Sequence, residues 1–354
     1  MQLYVRELVQ RLPRVAPDLR FVVVSNAAFD LQLDNVRLIP LSEAQAVNGG
    51  LAEQFGLPRR LAASRPSLVH FMSVYAPRRS RLPHVYTIHD LIHLRFPQYF
   101  SWKVPPYYRW VVKPVATSAS RVITDATASI VDLERYLAVK REQVRVIPLA
   151  SADDFYLSDG ERSTRAARAR ARFTLQRPYF LYAGNHRPHK NLNVLIQAWQ
   201  SVPRACDLVI TEDGALHLST DTALEKRNGR LVLTGRVSRA ELIDLYAGCA
   251  AAVQPSLYEG FGLAVLEAMA AGAPAIVAST PALLELGDQA VLSFPATDAG
   301  SLSTLMQQVH DDPVLQERLR AAGQKRAQDF SWDATARQTA SVYREALEVH
   351  AKTL

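Results

Sequence analysis

Short runs rich in valine, isoleucine and leucine alternate with helix-spaced apolar patterns from one end of this chain to the other. A strand that is apolar on both faces must be covered by helices above and below, so the alternation calls for parallel sheets inside helical layers, an α/β architecture. The expected strands cover residues 21–25, 36–41, 68–72, 85–88, 121–124 and 144–148 in the first half, and 179–182, 207–211, 231–234, 251–254, 275–278 and 290–294 in the second. Helical spacing covers 192–201, 239–247, 262–271, 299–311, 313–327 and 332–348. At 354 residues the chain is long enough for about two cores. Between the two series the sequence turns polar, from Ser151 to Arg172, and that stretch reads as a linker.

The opening departs from the pattern. Leu3, Val5, Leu8, Val9 and Leu12 are spaced for a helix, so a helix precedes any strand. A doubly wound sheet starts with its central strand and a glycine-rich turn. Either a first strand and loop lie upstream of Met1, or another strand takes the central place.

Hydrophobic residues at 48% and charged residues at 21% exclude a disordered or fibrous chain. The longest nearly apolar stretch, 263–278, contains Glu267, Gly272 and Pro274 and cannot read as a membrane span. No secretory signal opens the chain, and two distant cysteines, Cys206 and Cys249, suit a reducing cytoplasm. A net charge of +7 favours anionic partners: nucleotide phosphates, acidic lipid or nucleic acid. The arginines at 162, 165, 168, 170 and 172 alternate with alanines and include no aromatic to stack a base, which argues for a solvated helix face and against nucleic acid.

Three motifs carry chemistry. In the segment 255–274, Glu259 and Glu267 flank Gly260-Phe261-Gly262 and the start of a helix at Leu263. Glycines let the backbone approach a ligand, and the first amides of a helix point unpaired N–H donors at an anion. The second motif follows an apolar strand, with Gly184, Arg187 and Lys190 before a helix, a plausible phosphate cradle. In the third, His89 and Asp90 stand at the carboxyl end of a parallel strand, where open α/β sheets bind ligands. His84, His89 and His93 straddle strand and loop and offer no fixed tetrahedral set for a metal.

In this order and spacing the motifs resemble glycosyltransferase family 4, retaining sugar-nucleotide enzymes with the GT-B fold, and the resemblance spans nearly the whole chain. It implies two Rossmann-like domains facing across a cleft, the first strand of the N-terminal one missing. Residues 1–155, joined by the C-terminal helix 333–354, would bind the acceptor, and residues 156–332 the nucleotide sugar. Glu259, His89 and Lys190 would be the catalytic residues. Glu259 and the loop Gly260, Phe261, Gly262 and Leu263 would meet the donor sugar and phosphates, and Glu267 the ribose hydroxyls. Gly184 and Lys190 would hold the diphosphate. Asn185 stands where the family usually has an arginine, so Arg187 would act from two residues on. His89 would touch the donor sugar, and Arg236 would lie on the nucleobase side.

The chain contains no Asp-x-Asp pair, so no metal is required in this scheme and the metal-dependent GT-A class is disfavoured. The surroundings of His89 and of Arg95-Phe96-Pro97 resemble bacterial mannosyltransferases of surface polysaccharide and lipopolysaccharide assembly. GDP-mannose is therefore the first donor and UDP-glucose the second, with a glycan or lipid-linked acceptor. A lipid-linked acceptor would bring the protein to the cytoplasmic face of the inner membrane, where Arg78, Arg79, Arg81 and Lys103 could assist. Two rivals remain. A nicotinamide oxidoreductase lacks support, since Val265 stands where the third glycine of its fingerprint belongs. A catalytically silent sugar-nucleotide-binding protein is the other alternative.

Overall fold

The computed structural model describes residues 2–25, 29, 33–40, 52–78, 82–211 and 229–351. The chain divides into two compact units, Met1–Leu149 with Ser331–Leu354, and Ala150–Phe330. Both are α/β with parallel sheets.

In the first unit, β1 (Phe21–Ser25) pairs with β2 (Val36–Pro40). A separate four-stranded sheet runs β3 (Val69–Phe71), β4 (His84–Thr87), β5 (Arg121–Thr124), β6 (Val144–Val146) in that order. The doubly wound order would set one further strand between β1 and β3. Among the described residues none stands there, and the helix Gln2–Val15 precedes β1, as its apolar spacing requires. All four positions of β4 are buried, the polar His84 and Thr87 included, so the strand is covered on both faces.

The last helix, Trp332–Ala351, belongs to this first unit. A buried polar chain pins it: Tyr343 Oη lies 2.7 Å from His70 Nδ1, and His70 Nε2 lies 2.7 Å from Thr87 Oγ1. Tyr4 of the first helix reaches the same Thr87 hydroxyl at 3.0 Å. Burial drives the His70 pKa down to about 3, so the imidazole is neutral and this link is a chain of hydrogen bonds and not an ion pair. On the neighbouring strands, Arg121 and Arg145 both donate to Glu345, at 3.0 and 2.9 Å.

The second unit holds β7 (Tyr179–Tyr182), β8 (Asp207–Ile210), β9 (Leu231–Leu233), β10 (Ala251–Gln254), β11 (Ala275–Ala278) and β12 (Leu292–Phe294). Their spatial order is β12-β11-β10-β7-β8-β9, all parallel. The winding direction therefore reverses between β7 and β10, and the loops leaving the carboxyl ends of those two strands border the crevice that such a reversal opens. Helices Leu192–Ser201 and Ala299–Asp311 cover one face through Leu195, Trp199, Leu302 and Met306, all fully buried.

The polar stretch 151–172 is not a linker. Residues Asp159–Arg172 form a helix, opened by a reciprocal cap in which Ser158 and Glu161 satisfy each other's backbone amides. Arg165 and Arg172 bond Asp244 and Glu241 of the helix Arg239–Gly248, at 2.9 and 3.1 Å. Gly248 makes that approach close, since a Cβ there would stand 3.2 Å from Ala166 Cα. The buried surface is alanine, which gives almost no apolar signal against so many arginines. The helix Pro281–Gly287 is a further element that the spacing did not reveal.

Replacing Ser158 by alanine should lower the melting temperature by about 2–4 °C, the usual effect of losing one cap. Amide exchange of the first turn, Gly160 to Arg162, should quicken with it.

Candidate functional site

β7 delivers the chain into a tight turn at Gly184, whose φ of 151° lies outside the range that L side chains readily adopt. A Cβ at that position would sit 3.0 Å from Tyr182 Oη, and that hydroxyl donates to Asn185 O at 2.6 Å, fixing the turn. One 3₁₀ turn, Pro188–Lys190, then leads through left-handed Asn191 into the next helix. Asn191 Nδ2 donates to Pro255 O at 3.0 Å and Ala296 O at 2.7 Å, and the Leu257 amide donates to His189 O at 2.8 Å. These bonds lace the loop after β7 to the loops after β10 and β12.

The lacing sets Lys190 against Glu259. Nζ lies 2.7 Å from Oε1, and the two side chains are only 15% and 13% exposed. Gln254, the last residue of β10, donates to the same Oε1 at 2.8 Å and to Ser256 Oγ at 2.8 Å. Burial works against ionising Glu259, but the Lys190 ammonium and the hydrogen bonds from Ser256 and Gln254 outweigh it and hold the carboxyl below its ordinary range.

Gly262 follows with φ 105° and opens the helix Leu263–Ala270. That positive φ strains any L side chain, and a Cβ there would also displace the Leu283 Cδ2 methyl, 2.6 Å away, so the bend favours glycine. The first amides of that helix have no carbonyl one turn earlier to accept them, which makes the helix mouth a donor to anions. Phe261 is buried and packs its ring edge-on against Phe330, 5.8 Å between centroids. Gly260 is half-buried beside it. Arg187 is exposed on the turn that carries Lys190, and Arg236 is exposed on the turn after β9.

Glu267, in the second turn of the same helix, is half-buried, and burial pushes its pKa up to about 7. Arg239 draws it down and Asp154 raises it further, those two being themselves paired at 2.8 Å.

In the first unit, His89 stands two residues beyond the end of β4. Its Nδ1 lies 2.8 Å from Oδ2 of Asp125, the residue that follows β5, and the Tyr4 ring meets the imidazole at 88°, 4.7 Å away. The two strands pair Thr87 with Ile123, so His89 and Asp125 sit at the same height. Asp125 is 2% exposed; burial pushes its carboxyl above the ordinary range while the His89 contact pulls it back. A carboxylate accepting from Nδ1–H leaves Nε2 with its lone pair, and that buried nitrogen has no hydrogen-bond partner. Asp90 accepts from the Ile92 amide at 3.1 Å, shaping the turn beside His89. His84 bonds Val115 O at 3.0 Å and His93 lies 3.1 Å from Tyr108 Oη, both in packing roles. Among the described residues no group of three or more histidine, cysteine or acidic side chains is placed to hold a metal ion.

Gln254 and Asp125 escaped the motif reading. Each is a polar residue at or just past the end of an apolar strand, and only strand order and register reveal what it faces.

The raised pKa of Glu267 has a definite consequence. A carboxyl more easily protonated in the folded chain contributes stability below its unfolded pKa, near 4.5, and loses it as pH rises through about 7. Glu267→Gln should therefore gain melting temperature relative to the parent protein by several degrees more at pH 8 than at pH 5. An unchanged difference across that range would contradict the burial assigned to this carboxyl.

Two family models match the chain. That for glycosyl transferases group 1 covers residues 163–326, and that for Glycosyltransferase Family 4 covers residues 1–150. The O-antigen chain mannosyltransferase B of Escherichia coli is 27% identical over 96% of this chain and 94% of its own length. Among solved structures, the sucrose-phosphate synthase of Thermosynechococcus elongatus superposes with TM-score 0.75 at 21% identity, covering 98% of this chain and 93% of its own. HepE of Anabaena, solved in complex with UDP and glucose, superposes with TM-score 0.73 at 18% identity over 97% and 95%. With a family model on each half and a GT-B architecture throughout, this chain belongs to the family 4 glycosyltransferases.

Proposed function

We propose that this enzyme transfers a hexose, mannose first, from a nucleotide diphosphate sugar to a glycan or lipid-linked acceptor, in the synthesis of bacterial surface polysaccharide such as lipopolysaccharide. GDP-mannose is the preferred donor, supported by the similarity to an O-antigen mannosyltransferase, and UDP-glucose is second, supported by the likeness to a protein solved with UDP and glucose. Residues 156–332 bind the donor; residues 1–155 with the helix 333–354 bind the acceptor. The protein works in the cytoplasm, at the inner face of the inner membrane, without a nucleic-acid partner and with no metal needed for leaving-group departure.

The observation that carries this reading is the Lys190–Glu259 pair beside the mouth of the Leu263–Ala270 helix. An ammonium has three donors and Glu259 occupies one, so Lys190 has two left for a diphosphate. As the bond from the anomeric carbon to the phosphate oxygen breaks, negative charge grows on the phosphate, and Lys190 with the amides near Gly262 and Leu263 stabilises it in place. Gly184 lets the backbone approach the diphosphate, and Arg187 adds charge from the same turn. Glu267 takes the ribose hydroxyls and Arg236 the base side. Glu259 orients the sugar and supports positive charge at the anomeric carbon. His89 contacts the sugar through Nε2, in the orientation Asp125 sets. Retention follows if the acceptor oxygen attacks from the face the phosphate leaves: its C–O bond forms as the phosphate bond breaks, and its proton passes to the departing phosphate oxygen.

Purified protein offered GDP-mannose, UDP-glucose and related donors with a membrane extract should release nucleotide diphosphate and incorporate sugar, GDP-mannose fastest. Binding of a donor with no release above the buffer rate would make it a silent sugar-nucleotide-binding protein. Glu259→Gln and Lys190→Ala should each lower turnover at least about tenfold, some 1.4 kcal/mol of transition-state stabilisation, with circular dichroism retained. Asp125→Asn should lower kcat by about tenfold with donor KM within about twofold, the pattern of a group acting through His89 on the transition state. Histidine nitrogen shifts should report His89 moving away from its Nδ1–H tautomer in that variant.

A further inference from the structure

Between residues 54 and 124 the sequence has eleven lysines and arginines and one carboxylate, Asp90. That local excess is larger than the +7 of the entire chain, so the basic character of this protein is concentrated in one stretch of its first unit. From 91 to 124 no acidic residue occurs at all.

The same stretch exposes large aromatic rings. Trp102 is 78% exposed, Trp110 55% and Tyr99 41%. Residues Val104–Tyr107, Tyr108–Val112 and Lys113–Ser118 form one continuous run of helical turns. Its inner face, Tyr108, Val112 and Val115, is buried in the core. Arg109 and Trp110 are exposed on the other side, with half-buried Lys113 one turn further on. Trp102 and Lys103 precede the first turn, with Lys103 Nζ 5.8 Å from the Trp102 ring and Arg109 5.1 Å from the Trp110 ring.

An indole left in water forgoes the stabilisation its area would bring in a core, and two of them between cations make a surface suited to neither solvent nor a protein core. At a lipid headgroup layer both features are satisfied: indoles settle at the interface and cations meet phosphate. We infer that the face carrying Trp102, Lys103, Arg109, Trp110 and Lys113 docks on an anionic lipid bilayer. The inference deepens, and rests on, the reading of a membrane-located acceptor, and it names the docking surface. Charge complementarity selects the occupant: Arg95 and Arg121 are paired with Asp132 and Glu345, but the segment that carries Trp102, Lys103, Arg109, Trp110 and Lys113 has no acidic residue of its own and so fits an anionic surface.

The chain's tryptophans make the test direct. Of four, Trp199 and Trp332 are buried, so a change in emission on binding reports Trp102 and Trp110. The full-length protein is mixed with vesicles of phosphatidylcholine, alone or with about 30 mol% phosphatidylglycerol. It should sediment with the anionic vesicles only, its emission shifting to shorter wavelength, and raising salt from about 0.05 to 0.5 M should release most of it. Trp102→Ser with Trp110→Ser should weaken binding at least about tenfold, and Lys103→Glu with Arg109→Glu by about as much or more. All four positions are solvent-facing, so melting temperature should hold, as should transfer to a water-soluble glycan acceptor. No binding to anionic vesicles, or equal binding by the variants, would overturn the docking surface, while loss of transfer to soluble acceptors by the parent protein would instead overturn the functional reading. Concentration-dependent dimerisation abolished by the tryptophan variants would assign the face to a second copy and equally overturn the inference, as would retention of the protein by single-stranded nucleic acid in place of vesicles.

Discussion

Lys190 and Glu259 are 69 positions apart in the chain and 2.7 Å apart in space, and what joins them is a reversal of winding. Because β7 and β10 are neighbours whose outgoing loops turn opposite ways, both loops border one crevice, and Asn191 and the Leu257 amide tie them across it. Taking an ammonium and a carboxylate out of water costs several kcal/mol each before their attraction returns anything, so a pair like this seldom adds net stability. Its retention makes better sense as pre-organisation. A cation already desolvated and already oriented needs little rearrangement when a diphosphate arrives, and Gln254 keeps the carboxylate from following the ammonium.

The first unit repeats the logic with different residues. His89 and Asp125 leave adjacent parallel strands at the same height, and the carboxylate fixes which ring nitrogen carries the proton. Around them the Tyr4–Thr87–His70–Tyr343 chain ties the first and last helices to the sheet. The site histidine thus stands on a platform built from both ends of this unit's sequence. A polar network so enclosed loses more from one unsatisfied member than it gains from any single bond, which gives the site its rigidity.

Most strands were legible because parallel strands buried on both faces read as apolar runs; β5, β7, β10 and β11 fall on the expected residues, as does β1, whose valines give the same signal although the strand is only half-buried. The helix 159–172 was not, because its buried surface is alanine and its signal is swamped by arginine. Glu259 and Lys190 could be singled out from glycines and helix starts, but their direct pairing could not, since it depends on strand order. Asp125 needed the β4–β5 register, and Gln254 needed to be seen at the end of β10 and not merely within it. Of the basic residues singled out for a membrane, Arg79 and Arg81 lie outside the described residues, whereas Lys103 sits beside Trp102 on the exposed face.

The measurement closest to the centre of this account is a crystal structure of the protein with GDP or UDP bound. It should place the diphosphate within hydrogen-bonding distance of Lys190 Nζ and of the amides at the start of the Leu263–Ala270 helix, with the ribose against Glu267. A nucleotide lodged elsewhere, with the Lys190–Glu259 contact unaltered and untouched, would contradict it.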